Sequence, residues 1–230
     1  DVTDIKALEN IAKKSEVIFS CTDVPYPSWG EFYPAAASAL AYALSRTNAR
    51  LVFADNMYSY GNVKGKVMHE SMPHNAKTVK GSIRSEVINT LLKSGDLFNR
   101  RTAVVKAADF IGPRIYKGVF GVDFIKKLNE GRSIILPASI KLPHTFTFIN
   151  DFAAALVNVG ACDDTFGQIW HAPNAPAMSL EKWIHLFEVM TSRKAKIVRV
   201  PKIGVWVAGF FDPLVKEYRE LTYQFEYPYV

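Results

Sequence analysis

Four short apolar runs limit what this chain can fold into. Residues 17 to 21, 51 to 54, 103 to 107 and 134 to 136 are partly β-branched and do not alternate with polar residues. Strands covered on both faces read this way because neither side meets water, so the runs predict a parallel sheet between helices. The intervening stretches are helical in pattern. Residues 34 to 47 are alanine-rich, and residues 82 to 92 place Ile83, Val87 and Leu91 on one face at steps of four. Strand, helix, strand, helix is the α/β order. Further on, Asn150 or Asp151 is the expected cap of a helix through Val159 that stops at Gly160. Ser179 is the expected cap of one carrying Leu180, Trp183, Ile184 and Phe187.

After residue 112 the pattern changes to Gly-Pro-Arg, a helix, an alternating stretch at 145 to 149, and short strands at 168 to 171 and 197 to 200. A smaller lobe interleaved with the last sheet elements is expected. The run 204 to 211 is apolar almost all round. It is too short to span a bilayer, so it reads as a buried helix or an oligomer contact rather than a membrane anchor.

With 230 residues, 49% hydrophobic and 22% charged, the chain can bury a substantial core. No apolar run reaches the roughly 18 residues a membrane span needs, and Asp-Val-Thr-Asp at the start is not a signal sequence. A soluble cytoplasmic protein with no membrane partner is the expectation. Cys21 and Cys162 form no disulfide framework, and the five histidines have no metal-ligand spacing. No Gly-x-Ser-x-Gly elbow supplies a hydrolase nucleophile. The net charge of +6 is spread in ones and twos with no RNA- or DNA-binding module, which predicts a solvated basic surface and no nucleic-acid partner.

Residues 51 to 61, Leu-Val-Phe-Ala-Asp-Asn-Met-Tyr-Ser-Tyr-Gly, run a strand into a polar turn closing on Tyr60-Gly61. This segment resembles the Ser-Ser-x-x-Val-Tyr-Gly segment of extended short-chain dehydrogenase/reductases, the NAD-dependent epimerase/dehydratase branch. The likeness covers nearly the whole chain. Asp1 to Asp4 resembles the loop whose aspartate contacts adenine, and Thr22 and Asp23 follow a strand bordering the cofactor. Gly112-Pro113 resembles the turn into the substrate lobe, and Pro143 to Asp151 resembles an Arg-Asp-Phe segment with His144 in the arginine's place. Val24-Pro-Tyr-Pro, Asp55-Asn56, Lys80-Gly81-x-x-Arg84, Trp170-His171 and Tyr223 to Glu226 match an atypical subgroup. The resemblance implies a Rossmann-like doubly wound parallel sheet: residues 1–112 a partial NAD(P)-binding domain, residues 113–230 a small substrate lobe. It also implies two preceding βα units of about 30 residues each, with a Gly-x-x-Gly-x-x-Gly turn on the pyrophosphate, so a truncated view of a longer protein is expected. The NAD-or-NADP selector would follow the second of those strands.

The resemblance also implies a Tyr-x-x-x-Lys proton relay, and the chain departs from it. With Glu86 marking the register, the tyrosine and lysine positions are Thr78 and Ser82, and the catalytic serine position is Asn56. Threonine is too weak an acid to replace a phenol. An asparagine amide can hold a substrate oxygen but cannot pass a proton. Asn56 and Lys80 are therefore the candidate catalytic pair, with Lys80 beside the nicotinamide ribose. Asp1, Thr22 and Asp23 join them as cofactor contacts, and Asp109, His144 and Arg84 are the substrate-binding candidates. Lys80 and Arg84, four apart on a helix, share a face and together suit a carboxylate or phosphate. Tyr60 and Lys77 read as a packing residue and a surface residue, and His171 as structural. His144 reads either as a substrate contact or as a hydrogen-bonded loop residue.

Two functions follow. One is an NAD(P)-dependent oxidoreductase or epimerase/dehydratase-like protein acting on a small carbonyl, alcohol or nucleotide-sugar substrate, with an atypical active site. The other is a catalytically inactive dinucleotide sensor or interaction protein of the same fold. A homodimer through the helices at 34 to 47 and 82 to 92 is the expected assembly, from the resemblance alone.

Overall fold

The computed structural model describes residues 1–93, 101–137 and 139–230. Its strands are β1 (Val17–Ser20), β2 (Arg50–Asn56), β3 (Thr102–Ala107), β4 (Asp109–Ile111) and β5 (Ser133–Pro137). They continue with β6 (Pro143–His144), β7 (Phe146–Phe148), β8 (Ile169–His171), β9 (Met178–Ser179) and β10 (Lys196–Val200). The helices are α1 (Ile5–Ala12), α2 (Trp29–Arg46), α3 (Val79–Lys93), α4 (Val122–Asn129), α5 (Ile149–Ala161), α6 (Leu180–Thr191), α7 (Lys202–Ala208) and α8 (Pro213–Tyr218). Two compact units share them. The first comprises Asp1–Gly61, His69–Ala107 and Asp151–Pro173, the second Asn62–Met68, Ala108–Asn150 and Asn174–Val230.

The first unit is built on a parallel sheet in the order β1-β2-β3-β8, with Val17 opposite Arg50, Leu51 opposite Thr102 and Val104 opposite Ile169. Every residue of β3 is buried, as its unbroken apolar run predicts. One core cluster joins Leu51, Phe53 and Val104 of the sheet to Leu40, Ala43 and Leu44 of α2 and to Val87 and Leu91 of α3. Each such leucine or valine side chain contributes about 1.5–3 kcal/mol of burial free energy. The small side chains along α2, Ala36, Ala37, Ala39 and Ala43, are all buried, and α2 packs against both α1 and α3.

The second unit contains three two-stranded pairs: β4 with β7 and β5 with β10, both parallel, and β6 with β9, antiparallel. Its core is aromatic, with Phe120, Phe124, Phe146, Trp183 and Phe187 in mutual contact at ring separations of 5.0 to 6.2 Å. The end of the chain lies beside β6. Tyr229 N donates to Pro143 O, Thr145 N donates to Tyr229 O, and Met68 N donates to Val230 O.

The α/β class and the parallel sheet are as expected, and four local expectations are corrected. Helix α2 begins at Trp29, five residues before Pro34, which sits inside it. The extra turn forms because Trp29 and Tyr33 are buried and the Trp29 indole donates to Val24 O at 3.0 Å. Helix α5 begins at Ile149 and runs through Gly160 rather than stopping there. A Cβ on Gly160 would lie 2.6 Å from the Phe19 ring, so this glycine serves helix-to-strand contact instead of a cap. The run 134 to 136 pairs with β10 and not with the main sheet, whose fourth strand is β8. Of the two readings of residues 204 to 211, the buried helix is excluded, since Trp206, Val207, Phe210 and Phe211 are exposed, and the oligomer contact is untouched by this. Ser179 does cap α6, accepting from Lys182 N at 3.3 Å.

Candidate active site

The carboxyl ends of β2 and β3 meet around a buried ammonium. Lys106 Nζ donates to Asp55 Oδ2 at 2.5 Å, to Asn56 O at 2.9 Å and to Ser59 Oγ at 2.8 Å, so each of its three hydrogens has an oxygen. Burial pushes the Lys106 ammonium below the usual lysine range, and the Asp55 carboxylate pulls it back. Ser59, on the turn Tyr58–Tyr60, also bonds His74 Nδ1 at 2.9 Å. Burial and the nearby Lys106 charge lower the His74 pKa to about 4, so the imidazole is neutral at physiological pH.

A second cation shares the same carboxylate. Arg84 Nη1 stands 3.3 Å from Asp55 Oδ1, an ion pair rather than an aligned hydrogen bond. The guanidinium lies over the rings of Tyr33 at 3.7 Å and Trp29 at 4.3 Å. One turn earlier on α3, buried Lys80 places its ammonium 4.8 Å from the centre of the Tyr26 ring. Arg84 and Lys106 thus share the Asp55 carboxylate, Lys80 lies one turn away, and the π faces of Tyr26, Trp29 and Tyr33 add to the stabilisation of these cations. The Tyr26 and Tyr58 hydroxyls lie 3.1 Å apart.

Asn56 is half-buried at the end of β2. Its Oδ1 accepts from Tyr58 N at 3.0 Å, which orients the amide so that Nδ2 is the group left to donate. Tyr60 is buried and its hydroxyl bonds His171 Nε2 at 2.8 Å, while His171 N donates to Glu70 Oε1 at 3.1 Å. Burial, with the Glu70 and Asp55 charges, raises the Tyr60 phenol above its ordinary range. Thr78 and Ser82 do local work: Thr78 Oγ1 accepts from Gly81 N at 3.1 Å, and Ser82 Oγ donates to Ala76 O at 3.1 Å. Lys77 is exposed.

Past the end of β1, Thr22 and Asp23 are exposed, and Asp23 Oδ1 accepts from the Tyr33 hydroxyl at 3.1 Å. Ser20, the last residue of that strand, has a buried Oγ without a hydrogen-bond partner among the described residues. Asp1 is exposed and bonds Thr3 through its own Oδ1.

In the second unit, His144 Nε2 and Asp109 Oδ2 are 2.9 Å apart. The His144 ring is 2% exposed and stacks with Phe225 on a 6° interplanar angle and with Tyr229 at 23°. Asp109 keeps 24% of its side chain open, so it is the solvent-facing member of the pair. Among the described residues no group of histidine, cysteine, aspartate and glutamate suits a metal ion.

The sequence matches no family model and no curated protein. Solved structures do match. A dTDP-glucose 4,6-dehydratase from Bacillus anthracis in complex with NAD superposes with a TM-score of 0.76 at 14% identity, over 87% of this chain and 66% of that one. The chain has the fold of nucleotide-sugar dehydratases and epimerases. A UDP-glucuronic acid 4-epimerase from Bacillus cereus, in complex with NAD and a fluorinated UDP-sugar, gives 0.74 at 14% identity, over 87% and 69%. A dTDP-4-dehydrorhamnose reductase from Clostridium acetobutylicum gives 0.69 at 18% identity, over 87% and 71%. The chain therefore spans about two thirds of the length of these structures.

Sequence reasoning placed Lys80 and Arg84 on one helical face and named Asn56, but it missed the Lys106, Ser59 and His74 network. The available signal was a lysine inside the apolar run 103 to 107. A charge in a strand covered on both faces requires a buried counter-charge.

Proposed function

We propose that a protein containing this chain binds NAD or NADP and acts as an oxidoreductase or epimerase/dehydratase-like enzyme. Its substrate is a small carbonyl, alcohol or nucleotide-sugar compound, and its active site is atypical. The observation supporting this reading is the pair of buried cations, Arg84 and Lys106, that share the Asp55 carboxylate at the carboxyl ends of β2 and β3. Open parallel sheets bind ligands at that end, and excess positive potential there favours phosphate-bearing ones.

The residues present fit part of a dinucleotide site. Thr22 and Asp23 offer a hydroxyl and a carboxylate past the end of β1, and the unpartnered Ser20 Oγ marks the same strand end. They would border the cofactor, with Asp1 toward adenine and Lys80 toward the nicotinamide ribose. The bound nicotinamide would supply or accept the hydride. Asn56 would donate Nδ2–H to a substrate oxygen and Arg84 would meet an anionic substrate group, while Asp109, steadied by His144, is the proposed substrate contact of the second unit. On this reading residues 1–112 are the cofactor-binding part and 113–230 the substrate lobe, in a cytoplasmic homodimer.

The second reading, an inactive dinucleotide sensor, is favoured by Thr78 and Ser82, whose hydroxyls are committed to local backbone bonds. One experiment tests both. The protein is titrated with NAD, NADP and their reduced forms, then incubated with dTDP- and UDP-sugars, alcohols and aldehydes while nicotinamide absorbance is followed. Turnover abolished by Asn56→Ala supports the enzyme. Binding without turnover supports the sensor, and no dinucleotide binding overturns both. Lys80→Met weakens binding or turnover if Lys80 holds its assigned place.

A further inference from the structure

The corrected segment 202 to 211 has a feature that the cofactor reading does not use. Ile203, Trp206, Val207, Phe210 and Phe211 follow the i, i+3, i+4, i+7, i+8 spacing of a core-facing helical stripe. Here that stripe faces outward, at 71%, 54%, 47%, 62% and 86% exposure. The helical turn continues beyond α7, because Phe210 N donates to Val207 O and Phe211 N to Ala208 O, so the five side chains lie on one surface.

We propose that this face docks on an anionic lipid surface, lying in the headgroup layer without crossing it. Among the described residues no helix is long and apolar enough to cross a membrane. Five side chains at these exposures present on the order of 600 Å² of apolar surface, taking about 150 to 250 Å² for each whole aromatic. A patch of that size marks an interaction site. It falls short of the roughly 800 Å² per partner of a standard protein interface, whereas insertion among lipid tails needs no matching surface.

Charge selects the lipid. Between residues 193 and 219 the chain has seven Lys or Arg and two Asp or Glu. Lys196, Arg199 and Lys216 are exposed and form no ion pair among the described residues. Arg219 lies over the Phe210 ring at 4.3 Å and the Trp206 ring at 5.4 Å, and its buried Nε and Nη2 find no hydrogen-bond acceptor among the described residues. Gly209 makes room for it, since a Cβ there would meet the guanidinium. An exposed aromatic plate backed by a guanidinium, with exposed cations on the adjoining stretches of chain, suits the boundary where phosphates meet acyl chains.

The test is co-sedimentation of the full chain with vesicles of phosphatidylcholine alone or mixed with phosphatidylglycerol, at low and high salt. Binding to the mixed vesicles is expected, weakened by salt and about tenfold by Phe210→Glu with Phe211→Glu. Phe210 also packs on Trp206 and the Arg219 guanidinium, so the unfolding transition of this variant is compared with the wild type, and a variant that loses it is replaced by Arg199→Glu with Lys216→Glu. Trp206 emission should shift to the blue on binding. No sedimentation with mixed vesicles at low salt overturns the proposal. So does a lipid-free dimer that Phe211→Glu converts to monomer, because a second copy then covers the face.

Discussion

The Lys106 ammonium and the Asp55 carboxylate meet with both side chains fully buried, and their partnership holds the ends of β2 and β3 in register. Removing one charge strands the other in a medium that cannot solvate it. Lys106→Met is expected to cost about 3 to 5 kcal/mol. Asp55→Leu added to Lys106→Met should recover part of that loss, because Arg84 retains the rings of Trp29 and Tyr33. Urea denaturation of both variants measures this, and a double variant less stable than the single one would contradict the pairing.

His74 gives the first unit a pH-dependent stability. Its pKa in the fold is about 4, against an ordinary value of 6.5, so the folded state holds fewer protons in this window. Stability is therefore fully present above pH 6.5 and falls as the pH drops toward 4. His171, lowered chiefly by burial, acts in the same direction. His74→Asn keeps an acceptor for Ser59 and removes one titration. The stability difference between about pH 7 and about pH 5 should shrink in this variant. An identical pH profile would show that His74 is not the group responsible.

Gly81 and Gly30 should respond oppositely to alanine. A Cβ at Gly81 would lie 2.4 Å from Ala76 Cβ and 2.6 Å from Tyr58 O, so α3 could no longer rest on the turn. Gly81→Ala should cost about 1 to 3 kcal/mol. At Gly30 nothing lies within 4 Å. Gly30→Ala should gain up to about 0.5 to 1 kcal/mol through helix propensity. Thermal unfolding of both variants is the comparison, and a shift of the same sign in both would refute it.

Tyr60 should matter for stability alone. Tyr60→Phe removes one hydrogen bond to His171, worth about 1 kcal/mol, and leaves the Lys106 network in place. Dinucleotide affinity, measured by fluorescence titration, should be unchanged by Tyr60→Phe and reduced by Lys80→Met. A drop in affinity with Tyr60→Phe would place that phenol among the ligand contacts.

How much of this was legible follows from what each pattern encodes. Burial on both faces is a property of single residues, so β2 and β3 could be read directly; β1 has the same texture but is covered only in part, with Phe19 exposed. The run 134 to 136 has the same texture, but its neighbour is chosen by residues 196 to 200, which the run itself does not specify. The shared face of Lys80 and Arg84 follows from helical spacing. What they face, Tyr26, Trp29 and Tyr33, depends on how α2 packs against α3. Lys106 was conspicuous, yet its partner lies 51 residues away. The outward turn of the 203 to 211 stripe was illegible, because the same spacing normally describes a core.

The chain leaves the first unit at residue 61, returns at 69, leaves again at 107 and returns at 151 to supply β8. Neither unit is a contiguous stretch that could be excised or fused as a cassette. During synthesis the β1-β2-β3 ribbon stays open along β3 until residues 169 to 171 leave the ribosome. From the synthesis of residue 107 to that of residue 171 that apolar edge is available to chaperones, and a stop codon placed anywhere before β8 would yield a product with an unfinished sheet.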